Sequence, residues 1–115
     1  MLTKEEQYTR MDAIIRAVCD VGEFTYPELV SKKKSLRRNA LRGVAYLLAR
    51  DFLVHPRIVA SMMRCSRQNV INVARNYHRY MQSRDAVTAN YYVLVSRKLR
   101  DYGLKLRNPR RPLSE

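Results

Sequence analysis

The chain alternates between segments with regularly spaced hydrophobic residues and short polar breaks. Within the segments, apolar residues recur three and four positions apart, the spacing that aligns side chains on one face of a helix. The predicted elements are a helix capped by Thr3 and ending near Gly22, a short helical turn starting at Pro27, and helices at about 35–52, 56–63, 66–81 and 85–102. The pattern therefore predicts an all-α fold, a compact bundle of five to six helices.

The apolar face of each helix predicts which side chains form the core. The predicted core positions are Tyr8, Met11, Ile15, Val18, Leu29, Val30, Leu41, Val44, Ala45, Leu48, Phe52, Ile58, Val59, Met62, Met63, Val70, Ala74, Tyr77, Met81, Val87, Tyr91, Leu94, Val95, Lys98 and Tyr102. They suffice for one modest core, so a single domain over residues 1–104 is predicted. Residues 105–115, with two prolines and four basic residues, are expected to form a flexible basic tail.

Charge is distributed very unevenly along the chain. The net charge is +13, yet the first 30 residues hold three basic and six acidic side chains, so the remainder carries +16. No carboxylate occurs between Asp51 and Asp85. A surface that faces a polyanion excludes carboxylates because phosphates repel them, whereas an ordinary surface mixes both signs. This charge distribution favours nucleic acid over a membrane as the binding partner, because no basic helix carries the Trp/Phe-rich face that membrane binding favours.

Several other classes of protein are disfavoured by what the sequence lacks. No apolar stretch approaches the roughly 20 residues of a membrane span, and a cytoplasmic protein is expected. Cys19, Cys65, His55 and His78 lack the short paired spacing of zinc ligands. No phosphate-binding glycine loop and no nucleophile with spaced acid–base partners is present. We therefore expect no enzyme activity, no metal and no small-molecule cofactor.

The helices at 56–63 and 66–81 have the dimensions of a helix-turn-helix, in which the start of the second helix contacts base edges in the major groove. Opposite its apolar stripe, the second helix carries Gln68, Asn72, Arg75 and Arg79. A merely solvated helix would favour Glu and Lys at such positions. Because Gln and Asn pair with adenine and Arg with guanine, this face is predicted to read bases, with Arg67 serving base or phosphate.

A second basic feature is the loop SKKKS at 31–35. Charged loops are most often only solvated, but three consecutive lysines repel one another, and a nucleic-acid backbone would relieve that repulsion. The loop directly precedes a long helix, as basic arms precede the helical parts of other DNA-binding domains. Lys32, Lys33 and Lys34 are therefore predicted to contact the backbone or enter a minor groove.

The order of PELVSKKKS, RGVAYLLAR and HPRIVASMMRCSRQNVINVARNYHRYM resembles the C-terminal DNA-binding domain (domain IV) of the bacterial replication initiator DnaA, of the Trp-repressor-like helix-turn-helix group. The correspondence runs without gaps from about Ile14 to Gly103. The resemblance implies that Lys33 and Lys34 approach a minor groove and that Arg42 and Arg50 hold the backbone. It also implies that bases are read by the opening residues of the recognition helix, which are Ser66, Arg67, Gln68 and Asn69.

The chain departs from that family at the site that reads bases. The family has Asp-His-Thr-Thr after a glycine-containing turn, where this chain has Ser66 to Asn69 after Met63-Arg64-Cys65, so a different target sequence is expected. The family's ATP-binding module has no counterpart here. The expected function is sequence-specific double-stranded DNA binding, in replication initiation or its regulation, with a nucleoid location and a separate replication or regulatory protein as a possible partner. An RNA-binding module and a transcriptional regulator or antitoxin-like interaction protein remain alternatives.

The DNA-contacting residues fall into two predicted sets. Base reading is assigned to Ser66, Arg67, Gln68, Asn69 and Asn72. Backbone or minor-groove contacts are assigned to Lys32, Lys33, Lys34, Arg42, Arg50, Arg64 and Arg75.

Overall fold

The computed structural model describes residues 2–33 and 35–104, and these form six helices. In chain order the helices are α1 Lys4–Gly22, α2 Tyr26–Val30, α3 Leu36–Asp51, α4 Pro56–Met63, α5 Arg67–Gln82 and α6 Ala86–Asp101. No strand occurs among the described residues. The all-α prediction is confirmed, and the helix ends lie close to the predicted ones. The predicted tail at 105–115 lies outside the described residues.

Side-chain caps explain why most helices begin where they do. Thr3 and Glu6 form the predicted capping box at the start of α1, and Thr25 forms a second box with Glu28 at the start of α2. Ser35 caps α3 by accepting from the Arg38 amide. His55 caps α4 with its ring nitrogen, accepting from the backbone amide of the second helical residue. Each cap satisfies an amide that the helix itself leaves without a partner.

Helix α3 is the centre of the bundle. It packs against α1, α5 and α6, and from Ala40 to Ala49 every residue except Arg42 is buried. The predicted stripe on this helix, from Leu41 to Phe52, is confirmed. Because α3 is covered on several sides, the elements around it hold fixed positions relative to one another.

The predicted inner face of α6 was only partly right: Val95 is buried as predicted, but most of the other predicted positions lie one residue before the buried ones. Val87 is 56% and Leu94 46% exposed, whereas the buried residues of α6 are Thr88, Tyr92, Val95 and Leu99. The Tyr92 hydroxyl donates to Asp51 Oδ2 at 2.7 Å, and Thr88 Oγ1 donates to Asp85 Oδ2 at 2.6 Å. These partners allow polar-tipped side chains to point inward, since a buried hydroxyl is tolerated when it is hydrogen-bonded.

Other predicted core positions lie at the edge of the core. Tyr8 and Tyr102 are exposed, contrary to prediction. The partly buried ones that pack against the core are Val30, Met62, Tyr77 and Tyr91.

Candidate nucleic-acid interface

A tight turn of Arg64, Cys65 and Ser66 joins α4 to α5. Arg64 adopts a left-handed backbone conformation, with φ 56° and ψ 48°, and closes α4. The Cys65 amide then donates back to the Ala60 carbonyl at 3.1 Å. Ser66 Oγ accepts from the Asn69 amide at 3.0 Å and starts α5. The predicted start of this helix is thus confirmed, and the turn sets the angle between the two helices.

The turn is held from behind by two tyrosines. The Tyr46 hydroxyl of α3 lies 3.6 Å from Cys65 Sγ, and burial raises the pKa of Tyr46. The Tyr26 hydroxyl of α2 donates to the Met62 carbonyl. Arg64 stacks over the Tyr26 ring, with its guanidinium carbon 5.8 Å from the ring centroid. The last turn of α4 and the start of α5 are therefore anchored to both α2 and α3.

Helix α5 turns a polar face to solvent, as the sequence predicts. Val70, Ala74 and Met81 are buried on its inner side. On α5 and its cap, the residues predicted to contact DNA are all exposed, namely Ser66, Arg67, Gln68, Asn69, Asn72 and Arg75. This face has no carboxylate, so it presents only cationic and neutral polar groups.

Gln68 and Asn72 act as one unit on this face. Gln68 Nε2 donates to Asn72 Oδ1 at 3.0 Å, one helical turn away. The bond leaves Gln68 Oε1 as an acceptor and Asn72 Nδ2 as a donor. An adjacent acceptor and donor match the N6 amino group and N7 of adenine in the major groove.

The basic loop between α2 and α3 is tethered at its first residue. Arg42 donates to the Leu29 carbonyl at 2.7 Å and to the Ser31 carbonyl at 2.5 Å. Arg38 donates to Ser31 Oγ at 3.1 Å and forms an ion pair of 3.4 Å with Glu28. The two arginines of α3 therefore fix where the loop leaves α2.

Two of the three loop lysines predicted to contact DNA lie within the described residues. Lys32 and Lys33 are exposed, while Lys34 lies outside the described residues. Arg42 was assigned to the DNA backbone, and the structure uses three of its N–H groups within the protein, the third on Asn39 Oδ1 at 3.2 Å. Its phosphate contact stays a prediction. Its observed role is to hold the loop.

Two further predicted contacts come together at one cleft. Arg50 of α3 and Arg75 of α5 both line a cavity of about 250 Å³ between α3, α4 and α5. Its apolar lining includes Val59 and Val70. The structure thus brings together two arginines from separate helices, both of which are predicted to contact the DNA backbone. They lie on one side of the α4–α5 pair.

Among the described residues, no ion pair engages a cation assigned to DNA. Within residues 2–33 and 35–104, ion pairs join Arg16 to Asp12, Arg38 to Glu28 and Lys98 to Asp101. None involves a described cation of the predicted set, which comprises Lys32, Lys33, Arg42, Arg50, Arg64, Arg67 and Arg75. Apart from Arg42, whose N–H groups bind within the protein, these cations are available to an external anion.

Sequence reasoning missed the residues that orient the site. Tyr77 packs on Gly43 and its hydroxyl donates to the Asn39 carbonyl at 3.1 Å, which fixes α5 against α3. Tyr26 and Arg38 shape the turn and the loop. Tyr77 and Tyr26 donate to backbone carbonyls 38 and 36 residues away, and such partners leave no periodic signal. The single glycine of α3 was the one available clue, because a helix-interior glycine commonly marks a close approach.

Among the described residues, no three His, Cys, Asp or Glu side chains come together to hold a metal ion. None of the described helices combines the length and apolar content needed to cross a membrane.

Comparison of the chain with protein-family models, curated proteins and solved structures finds no significant match, so the site itself carries the functional argument.

Proposed function

We propose that this chain binds double-stranded DNA in a sequence-specific manner, with the start of α5 in the major groove. The observation that carries the proposal is the hydrogen-bonded pair of Gln68 and Asn72 on an exposed helix face without carboxylates. Side-chain amides facing solvent add little to helix stability, whereas they pair specifically with base edges. Ser66, Arg67 and Asn69 would complete the base-reading set.

The affinity would come mainly from phosphate contacts on either side of α5. Arg50 and Arg75 line the cleft between α3 and α5, Arg64 lies in the turn before α5, and Lys32 and Lys33 lie in the loop. Each neutralised phosphate releases condensed counterions, so binding should weaken steeply as salt rises. The unpaired state of these cations supports this role, since no desolvated internal ion pair has to be broken first.

The resemblance to the DNA-binding domain of the initiator DnaA extends the proposal to biology. It favours a role in replication initiation or its regulation, in the cytoplasm at the nucleoid, together with a separate replication or regulatory protein. The domain would act by binding alone, without catalysis or a cofactor. Its base-reading residues differ from the family's, so we propose a target other than the family's own.

Selection of bound duplexes from a random DNA pool tests the proposal. The full chain and its Gln68→Ala/Asn72→Ala variant are carried through the same rounds. A consensus sequence that emerges with the wild type and blurs at particular bases with the variant supports both the function and the site. Failure of the wild type to enrich any sequence contradicts the proposal and favours an interaction protein with an acidic partner.

A competition experiment separates DNA from RNA. Labelled consensus duplex is challenged with unlabelled duplex DNA and with structured RNA of equal length. Major-groove reading predicts that the RNA competes poorly, because the deep, narrow major groove of A-form RNA does not admit a helix. RNA competing better than the consensus duplex would favour the RNA-binding alternative.

A further inference from the structure

Leu36, the first residue of α3, is the most exposed large hydrophobic residue in the described part of the chain. Its side chain is 91% exposed, against 71% for Leu53, the next in rank. The fold therefore gains almost nothing from the apolar character of this position. Single exposed leucines are common on protein surfaces, so the surroundings of Leu36 decide whether it has a function.

The position of Leu36 is fixed rather than free. Ser35 Oγ accepts from the Arg38 amide at 3.1 Å, which sets the first turn of α3. The Arg38 side chain and Arg42 both bind Ser31 at the other end of the loop. Leu36 thus projects from a helix start that is tethered on both sides, and little ordering would be needed for it to meet a ligand.

Exposed cations are close neighbours of Leu36 along the chain. Lys32, Lys33 and Arg37 are exposed, and the ion pairs of the described residues include none of them. An apolar side chain among unpaired cations fits a ligand whose apolar surface is bordered by negative charge. The minor groove of duplex DNA has this form, because sugars and base edges lie between two phosphate chains, and leucine is among the residues that proteins insert there.

We propose that Leu36 enters the minor groove of the bound duplex and packs against a base step, while Lys32 and Lys33 contact the flanking phosphates. The proposal rests on the DNA-binding function proposed above and deepens it. The contact would make binding depend on how easily that step opens, and pyrimidine–purine steps open most readily. Sequence preference would then extend beyond the bases that α5 reads.

Substitution by lysine tests the proposal most sharply, because charge and apolar contact predict opposite results. If the loop acts by charge alone, Leu36→Lys adds a cation and tightens binding to the selected consensus duplex. If Leu36 packs in the groove, both Leu36→Lys and Leu36→Ala weaken binding by about tenfold. For Leu36→Ala, the slope of affinity against salt should stay that of the wild type, because no charge is lost.

Two controls keep the result interpretable. Leu94→Ala removes an exposed leucine on α6, and its affinity should equal that of the wild type. Thermal unfolding of Leu36→Ala should match the wild type, since the side chain is not packed. A duplex with 2-aminopurine at successive steps should brighten at one step with the wild type and not with Leu36→Ala.

The contradicting outcomes are distinct from failure of the proposed function. Equal or tighter binding by Leu36→Lys, with a wild type that still selects its consensus, overturns the role of Leu36 alone. A wild type that prefers no duplex overturns the function as well.

Vesicles of phosphatidylcholine and phosphatidylserine test whether Leu36 contacts a membrane instead. Vesicle binding that requires Leu36, with duplex binding unaffected by its loss, would overturn the groove contact in favour of a membrane contact.

Discussion

The ring of Tyr77 lies directly over Gly43, where α5 crosses α3. A Cβ built on Gly43 would be 2.2 Å from Tyr77 Cε1, a separation that no real pair of atoms tolerates. The contact packs α5 closely against the central helix α3. Because the residues proposed to read bases are on the same helix as Tyr77, this contact also sets the position from which they are presented.

Gly43→Ala should therefore displace α5. Overpacking of this kind costs about 1–3 kcal/mol, partly offset by about 0.5–1 kcal/mol from replacing glycine within a helix. We expect a lower free energy of unfolding in chemical denaturation, together with weaker discrimination between consensus and scrambled duplexes. Tyr77→Phe keeps the ring and removes only the hydroxyl bond to Asn39, so it serves as the milder control. Wild-type stability together with wild-type discrimination between duplexes for Gly43→Ala would contradict the close packing.

The Arg42→Lys variant distinguishes two roles of Arg42, which are to hold the basic loop and to contact a phosphate. Lysine keeps the charge but lacks the planar fork that reaches both the Leu29 and Ser31 carbonyls. We expect faster amide hydrogen exchange around residues 29–33 and weaker DNA binding. Arg50→Ala, by contrast, should reduce the salt slope by about one phosphate contact and leave the loop unchanged. Arg42→Lys with normal exchange and normal affinity would show that the tether has no role.

Gln68 and Asn72 should prove energetically coupled. Each alanine substitution is expected to relax discrimination at particular bases by about 1–3 kcal/mol. Because the two amides are joined by a hydrogen bond of 3.0 Å, losing one misplaces the other, and the double variant should lose less than the sum of the single losses. A double-mutant cycle on the consensus duplex measures this. Additive losses would mean that the two side chains act independently.

Two adjacent tyrosines of α6 offer a matched test of its inner face. Tyr92 is 1% exposed and donates to Asp51, so Tyr92→Phe should lower the free energy of unfolding by about 1–2 kcal/mol. Tyr91 is only partly buried, and Tyr91→Phe should leave stability unchanged. Equal effects of the two substitutions in thermal unfolding would contradict the face that the structure assigns to α6.

The sequence predicted where the helices begin and end more accurately than it predicted which side of each helix is buried. Helix starts at Thr3 and Ser66 were readable because a cap and its amide are three residues apart. On α6, the series beginning at Val87 and the series beginning at Thr88 both satisfy helical spacing. The choice between them depends on Asp51, which lies 41 residues before Tyr92 and cannot be found by periodicity.

The candidate site was predictable to a similar degree. The exposed polar face of α5 followed from its spacing and composition. The use of Arg42 within the protein did not, because its partners are carbonyls 13 and 11 residues earlier in the chain. An arginine that binds backbone carbonyls and an arginine that binds phosphate look the same in sequence.

Amide chemical-shift mapping of the isotope-labelled chain with its selected duplex tests the central claim most directly. The account predicts that the largest changes fall at residues 66–75 and in the loop around Lys32, Lys33 and Leu36. It also predicts that the Gln68→Ala/Asn72→Ala variant loses the shift changes at residues 66–75 and keeps those in the loop. Changes confined to the outer faces of α1 and α6, with α5 unaffected, would contradict it.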